Sequence, residues 1–225
     1  MSIAENIAAV RAKIAAAAVR AGRDPTNVKL VAVGKLQPIE ALVEAVAAGQ
    51  LDLGENYPQE LRDKARLVRG ATWHFIGALQ RNKVKYVVGV CRLVHSIDSP
   101  SLAEEIARRA ADAGLVQRIL LQVNVGEEAQ KSGVAESDLG ELVDRVRALP
   151  SLALEGLMCI PPNVDLDKVA PYFRRLRELR DGERARTGLA LPELSMGMSA
   201  DYEIAIAEGA TLVRVGTAIF GERPR

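Results

Sequence analysis

Short apolar runs alternate with longer amphipathic stretches along most of this chain. Eight of the runs are rich in β-branched and other apolar residues, which is typical of β-strands. They occupy residues 28–35, 51–57, 72–77, 92–98, 118–125, 154–161, 193–198 and 212–217. Several are apolar on both faces, as in ILLQVNV at 119–125. That pattern is typical of parallel strands that are covered by helices.

The stretches between these runs repeat apolar residues with the period of an α-helix. The clearest helices are predicted at 38–49, 100–113, 136–148, 165–181 and 199–208, and weaker patterns lie at 58–69 and 78–88. Alternating strands and helices indicate an α/β protein. Eight such units favour a closed (β/α)8 barrel, and an open doubly wound sheet is the alternative.

The two ends of the chain differ in whether they can form an outer helix. Only AIFGERPR follows the eighth strand, which is too little for an outer helix, whereas residues 2–22 form an extra amphipathic helix before the first strand. We therefore expect the N-terminal helix to occupy the missing place beside strands 1 and 8. Residues 1–225 are then expected to form a single domain.

Composition excludes several classes of function. The chain has 30 Lys plus Arg and 29 Asp plus Glu, a formal net charge of +1, so nothing in its overall charge favours nucleic acid or an anionic membrane as partner. The N-terminus lacks the features of a signal peptide. Cys91 and Cys159 form no CxxC motif, and the two histidines are isolated, so no metal site is expected. We expect a cytoplasmic protein with free thiols and take it to be a monomer.

Lys35 is the first candidate for chemistry, because active sites of such barrels form at the carboxyl ends of the strands. Lys35 shares the parity of Val31 and Val33. If those two side chains face the barrel interior, Lys35 faces its mouth. A desolvated lysine amine has a lowered pKa and can form a Schiff base with a carbonyl compound. The alternative is a solvated or ion-paired lysine without a chemical role.

The ends of strands 7 and 8 have the features of an anion site. Ser199, in SMGMS, lies where a helix is predicted to begin, Gly216 allows close approach of the backbone, and Thr217 adds N–H and hydroxyl donors. A reactive lysine opposite such a cradle suggests a phosphorylated carbonyl compound. Pyridoxal 5′-phosphate (PLP) fits this description, and so does a sugar phosphate in a Schiff-base aldolase. Each glycine alone could also be a packing residue.

Arg214 shares the parity of Gly216 and should face inward as well. A buried guanidinium needs partners. One possibility is an ion pair with an inward acid such as Glu55. The second is a hydrogen bond to the pyridine nitrogen of PLP, which would keep that nitrogen unprotonated because arginine stays charged. PLP would then be a weaker electron sink.

The remaining candidates are expected to be structural. His74 and His95 are interpreted as core or rim residues, and Cys159 as a small core residue without a base beside it. Trp73 and Phe75 have the opposite parity to His74 and should pack beneath the outer helices.

A series of motifs then resembles a known family over nearly the whole chain. The motifs are VAVGK, GENYPQE, WHFIGALQRNK, HSID, VNVGEEAQKSG, GLMCIPP and LSMGMSADYEIAIAEGATLVRVGTAIFGER. They resemble the YggS/PROSC family of PLP homeostasis proteins. The resemblance implies a fold-type III barrel, like the N-terminal barrel of alanine racemase. It also implies PLP bound as a Schiff base on Lys35, and contacts from Asn56, Ser199, Arg214, Gly216 and Thr217.

The sequence departs from the family's usual pattern at two positions. Gly34 replaces a serine, and Gln37 stands where many members have a second lysine. We expect Gly34 to be tolerated because it faces away from the mouth. The change at Gln37 puts in doubt any role of an auxiliary lysine in cofactor exchange.

The resemblance implies PLP binding, storage or delivery, with PLP-dependent apoenzymes as possible recipients, effects on amino-acid and keto-acid balance, and no assigned reaction or catalytic residue. A weak amino-acid racemase is the main competing hypothesis. A racemase needs a second acid/base group, which in barrel racemases comes from a second domain. No residues are expected to remain here to form one. The residue pattern also leaves open a Schiff-base aldolase, or a structural barrel that binds no ligand.

Overall fold

The computed structural model describes residues 2–126, 128 and 132–221. Its eight parallel strands form a closed barrel in the order β1 to β8. The strands are β1 Lys29–Val33, β2 Asp52–Glu55, β3 Thr72–Phe75, β4 Leu93–Ile97, β5 Gln117–Gln122, β6 Leu152–Met158, β7 Glu193–Met198 and β8 Leu212–Val215. The closed barrel is therefore confirmed, and the open sheet is excluded. Residues 127 and 129–131 of the motif VNVGEEAQKSG, and residues 1 and 222–225 of the predicted domain, lie outside the described residues.

The barrel closes where β8 pairs with β1. Lys29 lies opposite Leu212, and Val31 lies opposite Arg214. This register places the carboxyl ends of the first and last strands next to each other, so the loops that follow them share one end of the barrel.

The helices surround the barrel. They are α1 Ile3–Arg20, α2 Ile39–Ala47, α3 Pro58–Leu67, α4 Pro100–Asp112, α5 Leu139–Arg147, α6 Ala170–Thr187, α7 Tyr202–Ala207 and α8 Thr217–Phe220. The connection between β3 and β4 contains a 3₁₀ helix at Arg81–Tyr86 instead of an α-helix, so the weak helical pattern at 78–88 predicted the wrong helix type.

The N-terminal helix occupies the place expected for it. Helix α1 packs against α2, α7 and α8, and α8, after β8, is only one turn long. The start of α1 is fixed by a capping box in which Ser2 and Glu5 exchange hydrogen bonds with each other's backbone N–H. Its buried face consists of Ile7, Val10, Ile14, Ala17 and Ala18.

The core has two parts, one on each side of the sheet. Inside the barrel lie Val31, Leu93, Leu120, Met158 and Leu212. A larger cluster fills the space between the strands and the outer helices, and it contains Trp73 and Phe75 as predicted. Burial on both faces explains why the strands are continuously apolar. No helix among the described residues is long and apolar enough to span a bilayer.

Candidate functional site

A cavity of about 330 Å³ opens at the carboxyl ends of β1, β2, β7 and β8. It brings together all six residues that the sequence singles out, although their role as ligands stays a prediction. The lining consists of Val33, Lys35, Gln37, Asn56, Ile76, Ile160, Met198, Ser199, Ala200, Arg214, Gly216, Thr217 and Gly221. Two further cavities, near Arg11 and Gln50 and near Arg66 and Tyr86, contain none of the six.

Lys35 reaches the cavity as its parity predicts. Val31 belongs to the inner core, and Val33 and Lys35 line the cavity above it. The chain then turns sharply, because Leu36 has a left-handed backbone with φ 59° and the N–H of Gln37 donates to the carbonyl of Gly34 at 3.1 Å. A non-glycine residue in this conformation is uncommon, so the loop needs support from its surroundings.

That support comes from Lys64 on α3, a residue that the sequence analysis did not identify. Its ammonium group donates to the carbonyl oxygen of Gly34 at 2.8 Å, to Glu55 Oε1 at 2.6 Å and to Glu60 Oε2 at 2.7 Å. Glu60 also accepts the N–H of Leu36 at 3.0 Å. Lys64 therefore uses all three of its donors to hold the loop that carries Lys35.

Asn56 has an acceptor that the described residues leave unused. Its side-chain Oδ1 is buried, and no described group hydrogen-bonds to it. Its backbone N–H donates to Glu55 Oε2 at 3.1 Å. A buried polar atom without a partner costs free energy, so a donor on a bound molecule is a natural partner for this oxygen.

The turns after β7 and β8 are joined to each other. The N–H of Gly216 donates to the hydroxyl oxygen of Ser199 at 3.3 Å, and Thr217 opens the short helix α8. The prediction that Ser199 lies at a helix start is wrong, because α7 begins at Tyr202 with Asp201 as its N-cap. The carboxylate of Asp201 accepts the N–H of Met198 and completes that turn before the helix begins.

Arg214 is almost fully buried, with 4% of its surface exposed. It donates to Ser195 Oγ at 2.6 Å and to the carbonyl oxygen of Cys159 at 2.9 Å. Burial lowers the pKa of Arg214, while Cys159 and Asp201 act in the opposite direction. The possibility of an ion pair with Glu55 is wrong, because Glu55 is bound to Lys64.

The two histidines are buried in the barrel, as the sequence analysis expects, but they are also hydrogen-bonded to each other. His74 Nδ1 lies 2.9 Å from His95 Nε2, and His95 Nδ1 lies 2.8 Å from Ser195 Oγ. Nothing in the sequence pattern predicts this contact. Burial raises the pKa of Cys159 to about 12, so its thiol remains protonated and it is a core residue. Both cysteines are free and buried.

Gly34 and Gly197 are both packing positions. A Cβ at Gly34 would point away from the mouth and lie 2.6 Å from Leu42 Cδ2 on α2. Gly197 has φ 89°, and a Cβ there would lie 2.6 Å from that of Ala205 on α7. The orientation expected for Gly34 is therefore confirmed. Gly197 lets α7 approach β7 closely and is not part of the cavity lining.

Comparisons with known proteins agree on one family. Residues 4–224 match the family model described as alanine racemase, N-terminal domain. The chain is 46% identical to a "Pyridoxal phosphate homeostasis protein" of Aquifex aeolicus, over 99% of both proteins. It is 47% identical to a protein of the same name from Pseudomonas aeruginosa, over 99% of this chain and 96% of that one. The solved structure of PipY from Synechococcus elongatus with PLP bound is 36% identical, with a TM-score of 0.86, and the match covers 98% of this chain and 100% of PipY.

Proposed function

Because this chain belongs to the family of pyridoxal phosphate homeostasis proteins, we propose that it binds PLP in the mouth of its barrel and holds the cofactor for other proteins. The observation that carries the proposal is the meeting of Lys35, Arg214 and the Ser199–Gly216–Thr217 cradle in one cavity of about 330 Å³. A cavity of this size suits a small ligand.

Lys35 binds the aldehyde of PLP. Its Nζ adds to the aldehyde carbon, a C=N bond forms, and the aldehyde oxygen leaves as water. The loop around Lys35 is held by Lys64 and Glu60, so the amine is presented from a fixed position. The bound cofactor supplies an imine conjugated with a pyridine ring, which is the basis of PLP chemistry.

The cradle binds the phosphate. The first N–H groups of a helix have no acceptor within the helix, and α8 begins at Thr217 beside Gly216. The hydroxyls of Ser199 and Thr217 add two further donors at the cavity wall. Gly216 also allows the close approach of the ends of β8 and β1, since a Cβ there would lie 3.3 Å from the carbonyl oxygen of Val33.

Arg214 faces the pyridine nitrogen. Its guanidinium stays charged and can only donate hydrogen bonds, so it stabilises the unprotonated nitrogen. Asn56 also lines the cavity and has an unused acceptor, which suits a hydroxyl on the ring. A cofactor with an unprotonated nitrogen is a poor electron sink, and this favours a carrier over an enzyme that forms carbanions.

The cavity lining also disfavours a racemase or an aldolase. Among the described residues, its ionisable side chains are Lys35 and Arg214, and the lining contains no histidine, tyrosine, carboxylate or thiol. Racemisation needs a second acid/base group on the opposite face of the substrate. We therefore propose that the protein has no catalytic residue and that its function is cofactor binding and release.

Its partners and setting are part of the same proposal. Residues 1–225 act as one PLP-binding domain, as a monomer in the cytoplasm, and PLP-dependent apoenzymes receive the cofactor. The two free, buried thiols support a reducing compartment. Light scattering on the purified protein tests whether it is a monomer in solution. Activation of a PLP-free aminotransferase by the PLP-loaded protein tests delivery, provided that it exceeds activation by the PLP that the protein releases spontaneously.

Titration with PLP tests the binding proposal. We expect the wild-type protein to take up one equivalent and develop a visible absorption band. Lys35→Ala should abolish the band, whereas Lys13→Ala, which changes an exposed lysine on α1, should leave it intact. A wild-type protein that takes up no PLP would overturn the proposal. Racemisation of an amino acid at an ordinary enzymatic rate, on the order of 10 per second, would instead establish the racemase.

A further inference from the structure

A continuous hydrogen-bond network crosses the barrel interior from Asp52 to Arg214. Asp52 Oδ1 lies 2.9 Å from His74 Nε2, and His74 Nδ1 lies 2.9 Å from His95 Nε2. His95 Nδ1 lies 2.8 Å from Ser195 Oγ, which accepts from Arg214 at 2.6 Å. We call these five residues the Asp52–Arg214 network. They come from β2, β3, β4, β7 and β8, so more than half of the strands contribute.

The chemistry of the two end residues determines which group donates in each hydrogen bond of the network. Asp52 can only accept, so His74 carries a proton on Nε2 and donates it to the carboxylate. With both imidazoles neutral, His74 Nδ1 accepts from His95 Nε2–H, and His95 Nδ1 accepts the hydroxyl proton of Ser195. The Ser195 oxygen in turn accepts from Arg214, which can only donate. Every bond therefore points from Arg214 towards Asp52, and both histidines are in the Nε2–H tautomer.

The middle of the network is dry and neutral. His95 and Ser195 are fully buried, and His74 is nearly so. Burial lowers the pKa of His95 well below its usual value, and the positive charge of Arg214 lowers it further. A neutral His95 is what the tautomer argument requires. A polarised hydrogen bond is stronger in such a medium than in water.

The Asp52 end lies at the opposite end of the barrel from the cavity that contains Lys35. Asp52 begins β2 and lines the separate cavity of about 350 Å³ near Arg11 and Gln50. Burial raises the pKa of Asp52, but the hydrogen bond from His74 and the charges of Arg92 and Lys29 outweigh it, so its pKa is lowered. Asp52 is therefore a carboxylate at neutral pH.

Arg214 has no carboxylate in direct contact among the described residues. Its hydrogen-bond partners are a serine hydroxyl and a backbone carbonyl, and Asp201 acts on it only through space. The network connects this buried cation to the negative charge of Asp52 through three neutral side chains. The network also restricts the Arg214 guanidinium to one orientation, because rotation would break its hydrogen bond to Ser195.

We propose that Asp52, His74, His95 and Ser195 are positioning residues for the cofactor, which fix the orientation of Arg214 and the charge that it presents to the ligand. This inference rests on the proposed function, because Arg214 is the group that faces the pyridine nitrogen. The carboxylate at one end of the barrel thereby influences the electronic properties of PLP at the other end. A polar core with only a structural role would hold the strands together without affecting the cofactor.

The absorption of bound PLP tests this directly, because the pKa of its Schiff base is read from the visible band during a pH titration. Asp52→Asn removes a negative charge and increases the positive potential in the cavity. This should lower the pKa of the Schiff base by about half a unit. Ser195→Ala interrupts the network next to Arg214 and should lower it similarly. Ser96→Ala is the matched control, because Ser96 is the buried neighbour of His95 and its hydroxyl has no partner among the described residues.

A double variant distinguishes an effect of Asp52 that is transmitted through Ser195 from a direct electrostatic effect through space. If Asp52 acts through Ser195, Asp52→Asn should cause no further shift in a Ser195→Ala background. If it acts through space, the two shifts should add. Additive shifts, or single variants that titrate like Ser96→Ala, would overturn the inference. Uptake of PLP by the wild type is measured first, so failure of the proposed function is recognised separately. Circular dichroism melts exclude loss of the fold in each variant.

Discussion

The ammonium of Lys64 on α3 donates a hydrogen bond to the carbonyl oxygen of Gly34 at 2.8 Å. This carbonyl belongs to the residue immediately before Lys35. A buried cation thus fixes the backbone from which Lys35, the lysine proposed to bind PLP, extends, and the carboxylates of Glu55 and Glu60 neutralise it at 2.6 and 2.7 Å.

Lys64→Met should therefore destabilise the protein strongly. It leaves the fully buried carboxylate of Glu55 without its cation, and breaking a buried ion pair from one side costs about 3–5 kcal/mol. Urea denaturation measures the free energy of unfolding. Lys168→Met is the control, because its pair with Asp165 is exposed and its loss should cost no more than about 1 kcal/mol. Similar losses for the two variants would contradict the structural role given to Lys64.

Restoring the family's usual serine at Gly34 should also be destabilising. The new Cβ would lie 2.6 Å from Leu42 Cδ2, and overpacking of this kind costs about 1–3 kcal/mol. Leu42→Val removes the colliding atoms, so the double variant should recover much of the loss relative to Leu42→Val alone. Gly182→Ser on α6, where a Cβ meets nothing within 4 Å, should leave thermal stability nearly unchanged. Equal melting temperatures for Gly34→Ser and wild type would contradict this prediction, because they would show that the Leu42 side chain can move away from the new Cβ without loss of stability.

The lowered pKa of His95 should make the folded protein less stable at acidic pH. Its folded pKa is lowered, so below its unfolded value of about 6.5 the unfolded state binds a proton that the folded state does not. The contribution of His95 to the free energy of unfolding should therefore be constant above this pH. It should fall as the pH decreases towards 5, by at most about 1.4 kcal/mol per pH unit for this one proton. His95→Gln should lack this slope in the same window, and an unchanged slope would assign the effect to another group.

Gln37 lines the cavity together with Lys35 and Arg214. Gln37→Lys adds a cation beside them, and a like charge disfavours the protonated Schiff base. We expect the pKa of the visible band to fall, and PLP transfer to an apoenzyme to become several-fold faster because the second amine can attack the imine. Gln37→Met, which is similar in size and uncharged, should change neither quantity. An unaltered transfer rate in Gln37→Lys would exclude an auxiliary role for a lysine at this position.

Much of the fold and the cavity could be predicted because strand parity is a local property. Val31, Val33 and Lys35 alternate with their neighbours in the sequence, and the same rule orients Arg214 and Gly216. The missing eighth outer helix and its replacement by α1 followed from counting residues after the last strand. These inferences needed no knowledge of how the strands pair.

The residues that the sequence did not reveal depend on long-range register. Glu60 and Lys64 are four residues apart on a helix, the spacing of an ordinary exposed ion pair, and only the fold buries Lys64 beneath the Lys35 loop. His74, His95 and Ser195 lie on three strands, so their contact depends on the closure of the barrel. The start of α7 was misplaced because the turn at Met198–Asp201 uses a side-chain hydrogen bond before the helix begins.

The position of the covalent link between PLP and the protein shows most directly which residue holds the cofactor. The PLP-loaded protein is reduced with borohydride, digested and analysed by mass spectrometry, so that the modified peptide identifies the lysine that formed the imine. We predict a single reduced adduct on Lys35 and its loss in Lys35→Ala. An adduct on another lysine, or none on a protein that retains the visible band, would contradict the assignment of Lys35 as the residue that holds PLP.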